Sequence, residues 1–284
     1  MHDLPFDQGH GRCLWLFAGT GEGPPLARAW LERGWRLEVF VVTPSAAHAY
    51  PDARGLRLRV GAVGGSSDLR RLVQQARARG EAPHWIVDAT HPFATRISSD
   101  LAQIGAELAQ PLLRLLRPVD PMTVAGVRLV PDWPAVATVV PVDERVLLAI
   151  GSRHLQKARA ALPGRVLRAR VLPTAESLAL ALAAGFPAEH LAALRPGNAD
   201  RGILGALCRQ WSITTVVARA SAGSTEQVWR QVQEDVGLHL VLLQRPTSVL
   251  PGVELTWPEA LNRLSPGDGA PVQPVIAADG GPAG

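Results

Sequence analysis

Short apolar runs alternate with segments of helical period along nearly the whole chain, and this alternation constrains the fold more than any other feature. The first run, Cys13–Ala18 (CLWLFA), has the length and unbroken hydrophobicity of a strand buried on both faces. Behind it Leu26, Ala27, Trp30 and Leu31 fall on one helical face, and Gly34 supplies a stop. Further strands are predicted near 37–42, 57–60, 85–87 and 112–116, with helices marked by Leu69, Leu72, Val73 and Ala76 and by Ile97, Leu101, Ile104 and Leu108. Strand and helix in turn imply a parallel sheet with helices on both faces, an α/β fold.

The pattern pauses at Pro118–Pro121, where a domain junction is expected. It resumes with strands near 127–130, 146–150, 166–171, 191–194, 214–218 and 240–243, and helices near 152–161, 175–184, 199–210 and 225–236. Ser224 with Gln227 three residues on reads as a capping box for the last of these. A short helix over 257–264 closes the ordered part. The expected division is a flexible segment over 1–11, one α/β domain over 12–120, a second over 121–264 and a disordered tail over 265–284. A length of 284 residues suits two domains of ordinary size.

Composition narrows the chemistry. Apolar residues make up 47% and charged residues 19%, as in soluble globular proteins. Lys157 is the single lysine among 29 basic residues, so there is no lysine-bearing phosphate loop. A net charge of +4 without a clustered basic stripe points away from a nucleic-acid partner. Cys13 and Cys208 fit no metal spacing, the eight histidines form no close cluster, and no metal site is expected. The N-terminus lacks a signal-peptide pattern, and no uncharged apolar run reaches the ~18 residues of a membrane span. A cytoplasmic protein with no membrane partner, a monomer or small homo-oligomer, is expected. Neither a G-x-S-x-G elbow nor a paired-carboxylate site favours a hydrolase.

Two strings at strand ends could carry chemistry. Ala18-Gly19-Thr20-Gly21-Glu22-Gly23 lies between the first strand and the first helix, where small residues let the backbone approach a phosphate and the helix dipole favours an anion. A tight turn is the alternative. If a dinucleotide binds, the end of the second strand reads its ribose; Thr43 and Ser45 stand there without an acid, which leans toward NADPH over NADH. The second string, Asp88-Ala89-Thr90-His91-Pro92-Phe93-Ala94-Thr95-Arg96-Ile97-Ser98, runs from a strand's carboxyl end into a helix. His91 could give a proton near neutral pH, or could be a partly buried, hydrogen-bonded residue beside a helix cap.

The VDATHPFATRIS string resembles the signature of the precorrin-6A and cobalt-precorrin-6A reductase family. LFAGTGEG, LLRLLRP over 112–118, LAIGSR over 148–153, ARASAG over 218–223 and the closing LQRP over 243–246 follow that family's order, and the likeness spans roughly residues 12–264. The resemblance implies two Rossmann-like parallel-sheet domains with a cleft between them. It further implies reduction of one double bond of a ring-contracted tetrapyrrole by a reduced nicotinamide nucleotide, on the route to cobalamin.

On that resemblance Gly19, Thr20 and Gly21 contact the cofactor phosphates, with Glu22 in the first helical turn; Thr43 stands where the ribose is read, and Thr90 lies at the cleft, facing nicotinamide or macrocycle. His91 is the catalytic candidate, and Phe93 faces nicotinamide or macrocycle. Ser98 contacts a substrate carboxylate or bonds back to its own helix. Arg117, Arg153 and Arg219 are candidate carboxylate clamps, as planar guanidinium forks suit carboxylates. Ser152, Ser221 and Gly223 lie at second-domain helix starts, which bind anions or are simply caps. The chain departs from the family pattern at Ala18, Asp100, Leu116, Ala220 and Ala222. A different nicotinamide-dependent reductase on this scaffold, or a non-catalytic tetrapyrrole-binding protein, are the competing readings.

Overall fold

The computed structural model describes residues 12–19, 21–117, 125–195, 201–246 and 252–264. The expectations for 1–11 and 265–284, and the role given to Thr20, lie outside these residues. The chain divides into two compact units, one made of residues up to Arg117 with those from Thr247 onward, the other of Pro118–Pro246.

Strands β1 (Cys13–Ala18), β2 (Arg36–Val41), β3 (Leu56–Val60), β4 (Trp85–Ala89) and β5 (Leu112–Leu116) come first along the chain. Strands β6 (Val127–Val130), β7 (Arg145–Ala149), β8 (Val166–Val171), β9 (Leu191–Ala193), β10 (Thr215–Arg219) and β11 (His239–Leu243) follow, and β12 (Val253–Thr256) is last. The first sheet has the order β12-β5-β4-β1-β2-β3, and all its pairings are parallel. Read from β3, this is the doubly wound 3-2-1-4-5-6 order with β12 in sixth place. The second sheet runs β6-β11-β10-β7-β8-β9, also parallel throughout. Counted from β7 it has the same order, with β6 in sixth place. Each sheet therefore takes its sixth strand from beyond its own run of five. The strand after β5 joins the second sheet, and the strand after β11 returns to the first.

That exchange corrects the expected domain limit. Residues 253–264 were assigned to the second domain because they follow it in sequence. In the structure β12 pairs with β5, and the Trp35 indole N–H donates to the Leu264 carbonyl at 2.7 Å.

In the first unit α1 (Gly23–Glu32) and α10 (Trp257–Arg263) cover one face of the sheet, meeting Leu14, Leu16 and Ala18. Helices α3 (Ser66–Ala78) and α4 (Thr95–Glu107) cover the other, meeting Cys13, Trp15 and Phe17. β1 is thus buried on both sides, as its unbroken apolar run requires. The short α2 (Pro44–Ala47) follows β2 and was not expected. In the second unit α5 (Trp133–Val139), α6 (Leu155–Ala161) and α7 (Ala175–Ala183) pack on one face. Helices α8 (Arg201–Gln210) and α9 (Ser224–Val236) pack on the other. The expected Ser224 capping box is corrected: Gly223 is the N-cap, and the Glu226 carboxylate accepts the Ala222 N–H at 2.7 Å.

Candidate functional site

In the first sheet the strand order reverses between β1 and β4, and the register Phe17↔Asp88 and Ala18↔Ala89 brings their carboxyl ends side by side. Such a reversal is where open α/β sheets bind ligands. The two strings picked out in the sequence leave the sheet here. A Cβ built on Gly19 would lie 3.7 Å from the His91 amide nitrogen and 4.0 Å from the Thr90 Cα, so the turns nearly touch. Gly19 and Gly21 are exposed, and a Cβ on Gly21 would meet nothing within 4 Å. This bare backbone suits a phosphate's approach. Pro24 and Pro25 carry no N–H, so the donors left to this turn are the amides before them.

The second turn is held from beneath. Asp88 is 3% exposed, and its Oδ1 accepts both the Thr90 N–H at 3.0 Å and the Thr90 hydroxyl at 2.6 Å. Its Oδ2 lies 3.8 Å from Arg114 Nε on the neighbouring strand. His91 Nδ1 accepts the Phe93 N–H at 3.2 Å, which places the ring proton on Nε2. The His91 and Phe93 rings lie 5.7 Å apart, tilted by 50°.

Two residues read as substrate contacts are internal. Ser98 is 1% exposed, with its hydroxyl 3.4 Å from that of Thr90, so no surface remains for a carboxylate. Arg117 is 5% exposed; its Nε donates to Glu22 Oε2 at 2.5 Å and its Nη1 to the Thr90 carbonyl at 3.2 Å. Glu22 is the N-cap residue of α1. Thr43 stands exposed at the end of β2, where it caps α2 by accepting the Ala46 N–H and lies 3.1 Å from the Ser45 hydroxyl.

The second sheet reverses between β7 and β10, with Ala149 opposite Ala218. Gly151 has φ +88°, and a Cβ there would sit 3.7 Å from Arg219 Nη2. Ser152 follows in a single tight helical turn, and the exposed Arg153 donates to Glu176 at 2.9 Å. Burial pulls the Arg219 guanidinium below the ordinary arginine range. Ser221 is buried and donates its N–H to the Arg219 carbonyl at 2.8 Å, and a Cβ on Gly223 would lie 3.7 Å from Ser221 Oγ. Ala222 has φ +53°, a left-handed conformation that costs a non-glycine residue roughly 1 kcal/mol.

Sequence reasoning missed Arg114, Tyr50 and His154. A charge inside the apolar LLRLL run was the signal for Arg114. Tyr50, whose hydroxyl would lie 2.1 Å from a Cβ on Gly23, left no local mark. Partial burial, then the cations Arg219, Lys157 and Arg153, hold His154 below the usual imidazole range, so its ring is neutral at pH 7.

Two parallel sheets of doubly wound order, each with polar turns at its point of reversal, define an α/β protein built to hold small ligands at its strand ends. Residues 13–264 match the family model described as "Precorrin-6x reductase CbiJ/CobK", and the chain belongs to that family of reductases. It is 35% identical over 242 residues to a cobalt-precorrin-6A reductase of Synechocystis sp., covering 83% of this chain and 89% of that protein. It is 29% identical over 237 residues to the precorrin-6A reductase of Rhodobacter capsulatus, covering 82% and 88%. A solved structure titled "CobK precorrin-6A reductase" superposes with a TM-score of 0.69 at 26% identity, over 89% of this chain and 96% of that one. The chain is thus an oxidoreductase, and its class implies a nicotinamide cofactor. Among the described residues no helix is long and apolar enough to cross a membrane.

Proposed function

We propose that this chain reduces one double bond of precorrin-6A, or of its cobalt form, with NADPH as electron donor. The observation that carries the reading is the meeting of the glycine turn and the Thr90–Phe93 turn at the β1/β4 reversal. When bound, the reduced nicotinamide supplies a hydride to one carbon of the double bond, while the neighbouring carbon takes a proton. The exposed backbone of Gly19 and Gly21 receives the phosphates. The Thr43 and Ser45 hydroxyls, with no acid beside them at the end of β2, favour NADPH over NADH. At the β7/β10 reversal Ser152, Arg153 and Arg219 offer a hydroxyl and two guanidinium forks suited to carboxylates. The Cys13 and Cys208 thiols, pushed up by burial to about 12 and about 11, take no part and suit the reducing cytoplasm.

His91 acts here as a neutral hydrogen-bond donor through Nε2. Its Nδ1 already accepts the Phe93 N–H, so an imidazolium would have to break that bond. The proton then comes from water. His91→Ala is expected to lower kcat roughly tenfold, and His91→Gln, which keeps a donor near the Nε2 position, to recover most of it. The kcat is expected to show no loss with rising pH that His91→Gln removes; such a loss would instead make His91 the acid.

Gly21→Val tests the phosphate turn. The new side chain meets no protein atom near its Cβ, so stability should change by no more than ~0.5 kcal/mol. The NADPH Kd should rise at least tenfold, roughly 1.4 kcal/mol. An unchanged Kd by calorimetry would place the phosphates elsewhere. The decisive assay mixes the chain with precorrin-6A, metal-free and cobalt-loaded, and with NADPH or NADH. Pigment bound without loss of the nicotinamide absorbance would overturn the catalytic reading.

A further inference from the structure

The glycine turn contains a charge of the wrong sign. Glu22 sets a carboxylate at the head of α1, where the anionic dinucleotide is proposed to bind, and like charges there repel. Pro24 and Pro25 also withhold two amide donors from the same turn. The structure answers the charge with one side chain. Arg117, buried at the end of the β5 segment, reaches Glu22 through Nε and the Thr90 carbonyl through Nη1. A single guanidinium thereby spans the two turns that meet at the reversal.

We infer that Arg117 is a positioning residue for the dinucleotide half of the site and not a substrate clamp. It cancels the Glu22 carboxylate beside the phosphates and fixes the glycine turn against the turn that carries His91. The role needs a planar fork with donors on separate nitrogens. A lysine ammonium at the end of a flexible stem offers a point charge and cannot hold both acceptors in the same fixed geometry. The inference rests on the reading that NADPH binds at this reversal.

Full-length variants decide it, with the NADPH Kd from calorimetry and the tetrapyrrole KM from steady-state turnover. Arg117→Met should raise the NADPH Kd roughly 10- to 100-fold, through loss of the charge-assisted bond that offsets the Glu22 carboxylate. The tetrapyrrole KM should stay within about twofold, inside the scatter of an untouched contact. Arg117→Lys should fall between wild type and Arg117→Met. Adding Glu22→Gln to Arg117→Met should recover most of the NADPH affinity, because the uncancelled charge is gone. Neither a substrate clamp nor a mere core residue would be rescued this way. A raised KM with an unchanged NADPH Kd overturns the inference in favour of the clamp. A double variant as weak as the single one overturns the charge cancellation. If Arg117→Met does not fold, Arg117→Lys with and without Glu22→Gln carries the same test on the same two constants. If the wild-type chain itself fails to bind NADPH, the functional reading falls, and the inference falls with it.

Discussion

Asp88→Ala is expected to lower the unfolding free energy by about 3–5 kcal/mol and to abolish turnover. Asp88 is buried at the end of β4, and both its oxygens are engaged. One takes the N–H and O–H of Thr90, and the other faces Arg114, its register partner on β5. Alanine takes away the acceptor shared by two partly buried Thr90 donors and removes the charge facing a largely covered guanidinium. The turn that presents His91 then loses its anchor. Asp88→Asn keeps an oxygen for Thr90 but sets no charge against Arg114, and should cost about 1–2 kcal/mol. Chemical denaturation followed by circular dichroism measures both. A loss below about 1 kcal/mol for the alanine variant would mean that water reaches these groups and that Asp88 is not the anchor.

Gly23→Ala is expected to cost about 2–3 kcal/mol, although alanine is the better helix former. Gly23 is the first residue of α1 and is buried. Its new methyl would lie 2.1 Å from the Tyr50 hydroxyl oxygen and 2.8 Å from the Ala18 Cβ. Tyr50 can swing aside, but Ala18 sits in the buried central strand and cannot. Adding Tyr50→Phe should therefore recover only part of the loss. Thermal denaturation of the single and double variants separates the two clashes, and full recovery by Tyr50→Phe would refute the Ala18 contribution.

Much of the candidate site was legible because its signals are local. Glycines behind an apolar run and a polar string at the end of another are marks that a short window can carry, and both fall at strand ends. What escaped reading is non-local. Arg117 and Ser98 belong to strings that look outward in sequence, yet the neighbours that bury them lie on other elements. Nothing near Arg117 in the chain announces Glu22, and nothing near Tyr50 announces Gly23. The destination of β12 escaped for the same reason. VELT is four residues long, pairs on one side only, and carries no trace of its partner β5. At α9 the rule of spacing was followed too closely. Ser224 and Gln227 have the capping-box interval, but a glycine takes the cap and Glu226 reaches the amide before it.

The exchange of sixth strands bears on how the protein is made. A ribosome delivers β1–β5 early, yet the strand that covers β5 is translated only after all of β6–β11. Until then the flank of β5 offers unpaired backbone groups beside Leu113 and Leu115, an edge prone to wrong pairing. The nascent chain must hold its first domain unfinished while the second is synthesised. The last described stretch, Val253–Leu264, is therefore the closing piece of the first unit, supplied only after the whole of the second has been translated.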